Sequence, residues 1–169
     1  MTVLNEGIRF SDLPEGDRRA FLRPPERRLF AHTKLYKLTS YPLEGPRGIT
    51  PWWSFFEKVR LADGTAVDGY REAEEFAHRL QVSHQTYQRA RSAVSNQFRN
   101  SMSNLLIIQL QVKAWGFAGI ARGQREFSDE EIKEDPSLAN VYLIGGRVQA
   151  YIPNLKTECV QPIPTSKIS

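Results

Sequence analysis

Two amphipathic helical stretches lie back to back in the middle of the chain, flanked on both sides by segments of strand periodicity. In the first, Asp68 can cap a segment whose apolar positions Tyr70, Ala73, Phe76, Ala77 and Leu80 recur at the spacing of one helical face. In the second, Ser83 can serve as N-cap ahead of the stripe Tyr87, Ala90, Val94, Phe98 and Met102. Helices grouped together, with strands before and after them, point to an α+β domain with a mostly antiparallel sheet.

The strand segments are read from alternation. Leu29 to Ser40 predicts a first strand, followed by a Pro/Gly-rich loop that delivers Pro51-Trp52-Trp53-Ser54-Phe55-Phe56 and then a turn at Asp63-Gly64. Leu105 to Lys113 predicts a strand with Leu106, Ile108, Leu110 and Val112 on one apolar face. Ser128 to Glu134 reads as a short exposed helix. Gly145-Gly146, between Val141–Ile144 and Arg147–Ile152, has the form of a two-residue hairpin turn, and 157–162 can add a last strand. The expected organisation is an extended or short-helical leader over 1–28, packed loosely, a single domain over 29–163 and a tail over 164–169.

With 169 residues, 40% of them hydrophobic, the chain can bury one core. No apolar run approaches the ~20 residues that span a bilayer, and Glu6, Arg9 and Asp12 stand where a signal peptide would be apolar. A soluble protein is expected, cytoplasmic or delivered to a target cell's cytosol by a route without a classical signal. A single cysteine, Cys159, excludes an internal disulfide, and the three histidines are too scattered to suggest a metal site. Phosphate-loop, dinucleotide-glycine, zinc-protease and nucleophile-elbow motifs are missing.

The net charge of +4 conceals a partition. Arg79 to Arg125 carries seven basic residues and no acidic one, so this stretch is +7 and the remainder −3. Such a block attracts anionic ligands, or pairs with the acidic run Glu126 to Asp135 that follows it. The aromatic cluster at 52–56 likewise has two uses: stacking on a base or nicotinamide, or, as the favoured one, anchoring a long loop on the core.

Two local patterns resemble known families. Leu35-Tyr36-Lys37-Leu38-Thr39 resembles the first strand of the ADP-ribosyltransferase fold, which typically carries an aromatic residue, then Arg or His, then a small residue and Thr. Arg147-Val148-Gln149-Ala150-Tyr151-Ile152-Pro153 resembles that family's late catalytic strand, with Gln149 at the position of the catalytic Glu. The resemblance implies NAD as cofactor, bound in a cleft between two small sheets, in a toxin or effector that modifies a macromolecular target and has a cognate inhibitor or immunity protein. It assigns Lys37 to the dinucleotide phosphates, Gln149 to the nicotinamide ribose and Arg147 to target or phosphate contact. Tyr36 and Trp52 would stack on the ligand, and Ser54 would form a polar wall. Lys37 lacks the planar fork of arginine, and Gln149 cannot stabilise a cation by charge, so a weak, altered or inactive transferase is implied. Structurally, Gln149 could equally be an exposed strand residue beside Arg147. The second pattern, residues 68–102, resembles a helix-turn-helix. It implies a nucleic-acid-binding regulator that reads bases with Ser83, His84, Gln85, Thr86, Arg89 and Arg91, although Gln81 stands where that family usually has glycine.

Overall fold

The structure, a computed structural model, describes residues 3–44, 49–57, 59–60, 63–92, 102, 104–125, 129–137 and 142–165. Its strands are β1 (Glu26–Phe30), β2 (Lys34–Thr39), β3 (Trp52–Phe55), β4 (Val59–Arg60), β5 (Ala66–Val67), β6 (Asn104–Leu110), β7 (Ala114–Arg125), β8 (Tyr142–Tyr151) and β9 (Val160–Ile163). The helices are α1 (Glu15–Arg19), α2 (Gly69–Arg79), α3 (His84–Ser92) and α4 (Asp129–Glu134). Seven strands form one antiparallel sheet in the order β1-β7-β8-β3-β2-β6-β9, and β4 and β5 form a separate hairpin. The domain is α+β. Among the described residues no helix is long and apolar enough to cross a membrane.

One face of the sheet carries the main apolar core, in which Phe30, Leu35, Trp53, Ile108, Leu110, Ala150 and Ile152 are buried. A second cluster joins Leu13 and Phe21 to Phe117 and Tyr151, with Phe10 and Trp52 packed against it. The leader is therefore not loosely packed. Phe21 is 2% exposed, Leu4 bridges to Ala114, and the Tyr151 hydroxyl donates to Asp17. Apolar residues spaced too irregularly to announce an element still bury enough surface to hold the segment down.

The expected strand over 29–40 is two strands. His32 adopts a left-handed φ of 54°, and the chain breaks there. β1 goes to the sheet edge beside β7, while β2 enters between β3 and β6. Nor is Trp52–Phe55 a loop. It is the strand β3, at the centre of the sheet, with Trp53 buried in the main core and Trp52 against Phe21 and Tyr151 at ring separations of 5.1 and 4.7 Å. Gly145 and Gly146 do not close a hairpin either. β8 runs straight through them, and the register on β7 shifts between Ile120 and Arg122, so the glycines, at φ of 69° and 98°, form a bulge.

Both helix caps form as the sequence suggests. Asp68 accepts from the Arg71 amide at 2.8 Å and Ser83 from the Thr86 amide at 3.1 Å, while Gln81 takes the left-handed φ of 59° needed between the helices. Ala73 and Ala77 of α2 pack on Tyr87 of α3. Phe76 and Leu80, expected in the buried stripe, are 39% and 56% exposed. Val94, Phe98 and Arg99 lie outside the described residues. The N-terminus of α2 approaches β3 so closely that a Cβ at Gly69 would lie 2.0 Å from the Phe55 carbonyl oxygen.

That contact separates two otherwise similar substitutions. Gly69→Ala should cost about 1–3 kcal/mol of unfolding free energy in urea titrations, because backbone must move to admit the methyl group. Gly16→Ala, in helix α1 with open space around the site, should be neutral or stabilising by up to about 1 kcal/mol.

Candidate functional site

Cross-strand register sets a buried polar row beside the site. Tyr36 on β2 lies opposite Ser54 on β3, and Ser54 lies opposite Gln149 on β8. Three polar side chains thus form one row on the sheet face away from the main core, where α2 and α3 cover them. All are buried: Tyr36 is 0%, Ser54 2% and Gln149 5% exposed. Gln149 is therefore not the exposed strand residue that its alternative reading required.

The row is completed from above by Gln88 of α3. Its amide nitrogen donates to Ser54 Oγ at 2.9 Å, and its carbonyl accepts from the Tyr36 hydroxyl at 3.1 Å. Gln149 Nε2 donates to the same Ser54 oxygen at 3.2 Å. Two residues before Gln149, Arg147 points to the same side. One of its terminal nitrogens donates to the Tyr36 hydroxyl at 3.1 Å and to the Gly69 carbonyl at 2.9 Å, and the other donates to Glu72 Oε1 at 3.2 Å. An unbroken chain of hydrogen bonds therefore runs from Gln149 through Ser54, Gln88, Tyr36 and Arg147 to Glu72. Burial pushes the Tyr36 hydroxyl up to about 12, against the pull of Arg147. For Arg147, burial opposes the charge, but Tyr36 and Glu72 outweigh it and hold the guanidinium above its ordinary value.

β3 ends at Phe55, whereas β8 continues along β7 through the glycine bulge to Tyr142. The sheet opens there into a cleft of about 490 Å³. Arg28, Arg91 and Arg147 line it together with Glu57 and Glu72, and Phe55, Tyr87 and Val148 add apolar and aromatic surface. Gly146 keeps the wall low beside Arg91; a Cβ there would stand 3.6 Å from the Arg91 guanidinium. Three guanidinium groups and two carboxylates beside an aromatic ring can meet a polar organic ligand, phosphate being among the groups that arginine binds.

The residues singled out in the sequence are divided by this arrangement. Tyr36, Ser54, Gln149 and Arg147 come together. Tyr36 does so as a buried member of the row and cannot stack on a ligand. Lys37 does not join them, because successive strand residues point to opposite faces. Its ammonium sits 3.8 Å from the Trp53 ring centre and donates to Thr50 Oγ1 at 2.7 Å, on the core side of the sheet. Trp52 packs in the second apolar cluster, with rings of the protein itself as its stacking partners. Gln88, Glu72, Arg28 and Tyr87 escape a motif-based reading, since each reaches the site from an element whose placement depends on tertiary packing. The +7 charge block does point to Arg91.

The second helix is turned only partly to solvent. Tyr87 and Gln88 are buried against the sheet, and Arg91 turns into the cleft. His84 stacks on Tyr70 at 4.4 Å, with burial lowering its pKa. Ser83, Gln85 and Thr86 are exposed, while Arg89 is half-buried. Among the described residues no cluster of three or more His, Cys, Asp or Glu side chains could hold a metal ion. Comparison with protein-family models, curated proteins and solved structures gives no match.

Lys37 carries a definite pH signature. Burial pulls its pKa down from 10.5 to about 7. Between those values the unfolded chain binds more protons at this position than the folded one, so this group makes stability rise with pH from about 7 toward 10. Lys37→Met should therefore stabilise the protein most at pH 7 and below. Its advantage over wild type in urea titrations should shrink steadily up to pH 10, and an advantage independent of pH would contradict the assignment.

Proposed function

We propose that the chain is an ADP-ribosyltransferase-like domain that binds NAD in the cleft beside Arg147. On this reading it belongs to a toxin or effector acting on a macromolecular target. The observation that carries the reading is the meeting of the two strands that resemble that family. β2 and β8 flank the same central strand, and their facing side chains Tyr36 and Gln149 converge on Ser54 in a buried row that Arg147 joins to a cleft lined by three arginines and two glutamates. The ligand set differs from the one the motifs alone suggest. Arg147, Arg91 and Arg28 take over the phosphate role expected of Lys37, and Tyr87 offers the aromatic surface expected of Trp52.

Guanidinium forks bind phosphate oxygens through two parallel hydrogen bonds. Arg147 already gives its terminal nitrogens to Tyr36, the Gly69 carbonyl and Glu72, so a phosphate would meet its remaining donors, held in place, and the fork of Arg91. Gln149 can hydrogen-bond but carries no charge, which makes this strand a poor source of transition-state stabilisation. The domain on this reading is a dinucleotide binder first.

Isothermal titration calorimetry with NAD, ADP-ribose and inorganic phosphate tests the proposal. NAD and ADP-ribose should bind more tightly than phosphate, and affinity should fall as salt rises. Arg147→Ala and Arg91→Ala should each weaken NAD by about tenfold or more, the range expected for truncating one partner of a charged hydrogen bond. Absence of NAD binding at millimolar concentration, or binding unaffected by both substitutions, would overturn it.

A further inference from the structure

His84 stands in the first turn of α3, directly after the Ser83 cap, and its ring packs on α2. It lies 4.4 Å from the Tyr70 ring, which in turn meets the Tyr36 ring edge-on at 5.7 Å. Both imidazole nitrogens are buried, and neither has a hydrogen-bond partner. A neutral imidazole can occupy such a place, whereas an imidazolium would hold two unsatisfied N–H donors and a charge out of water. The groups facing the ring do not offset that cost. On α2, burial keeps the Tyr70 phenol neutral, and Glu74 is exposed, so solvent screens its attraction. On β8 the Arg147 guanidinium repels a second cation, and on α3 itself Gln88 is engaged with Ser54 and Tyr36. The first turn of α3 adds the positive end of the helix dipole. Burial accordingly lowers the His84 pKa from its ordinary value.

We propose that His84 is a pH-sensitive latch, which holds α3 on the sheet in neutral solution and releases its first turn on acidification. A proton stabilises only a ring that has left Tyr70 for water, so acid shifts α3 toward an open state. The packed state favours the neutral ring, and the open state has the ordinary histidine equilibrium. The hold is therefore complete well above about pH 6.5 and is lost as pH falls below it. The residues that follow that turn are those that build the cleft. Tyr87 lines its wall, Gln88 closes the buried row over Tyr36 and Ser54, and Arg91 stands beside Gly146. The latch acts on the cleft whatever ligand enters it, and it does not rest on the NAD-binding reading.

Titration of the His84 imidazole by nuclear magnetic resonance, together with amide hydrogen exchange across α3, tests the latch in the full chain without ligand. Exchange rates are corrected for the intrinsic effect of pH on amide chemistry. From about pH 7.5 to about pH 5, opening of the segment holding Tyr87 and Gln88 should rise about tenfold, within the roughly 30-fold that one site of ordinary pKa can supply there. Strands β7 and β8 should keep their protection, which separates release of the helix from global unfolding. His84→Phe keeps an aromatic ring against Tyr70 but takes no proton, and it should abolish the rise. His84→Gln, smaller and also without a titrating group, should open α3 to the same extent at both pH values, which keeps the test decisive if phenylalanine does not fit. An imidazole that titrates at or above about 6.5, no rise in wild type, or the same rise in both variants would overturn the latch.

Discussion

Arg147 is the point through which the two halves of the domain are joined. Its guanidinium reaches the Tyr36 hydroxyl of β2, the Gly69 carbonyl at the start of α2 and the carboxylate of Glu72 one turn further on. A partly buried guanidinium is costly unless its donors are satisfied, and here strand, helix and side chain each satisfy some of them. The charge thereby specifies how the helical pair sits on the sheet. Gln88 of α3 repeats the device without charge, bonding to Tyr36 and Ser54. The cleft exists because the helices are held at that height over the place where β3 ends and β8 continues.

The same arrangement explains why a polar row can lie inside a folded domain. Each member of the chain from Gln149 to Glu72 has a partner, so the network specifies one packing without stranding a buried polar group. On the opposite face the composition changes to Leu35, Trp53, Ile108, Ala150 and Ile152, with Lys37 as the exception. One face of the sheet carries the apolar core and the other the polar row, with period-two alternation along β2, β3 and β8 sorting the residues between them.

Much of this was legible in the chain before its fold was known. Asp68 and Ser83 mark the helix starts because capping is local, and alternation marks the strand from Leu105. Gln149 and Arg147 were legible as a pair because two residues along a strand share a face. Lys37 was misleading for the same reason. A motif identifies the strand, but only its register with β3 decides whether Tyr36 or Lys37 faces the helices, and a one-residue difference exchanges the faces. Gly145-Gly146 has the composition of a turn, and only the neighbouring strand β7 reveals that it is a bulge. Glu72, Gln88 and Arg28 meet through contacts between distant segments that no local pattern encodes.

On the proposed reading, ligand enters the cleft beside Arg147, next to the buried row of Tyr36, Ser54 and Gln149. Nuclear magnetic resonance of isotopically labelled protein titrated with NAD addresses it residue by residue. Shifts should concentrate at the Arg147 side-chain NH and at the Gly69, Gly146 and Arg91 amides, which surround the cleft. Shifts confined to the exposed side of α3 at Ser83, Gln85 and Thr86, or to the neighbourhood of Lys37 on the other face, would contradict it.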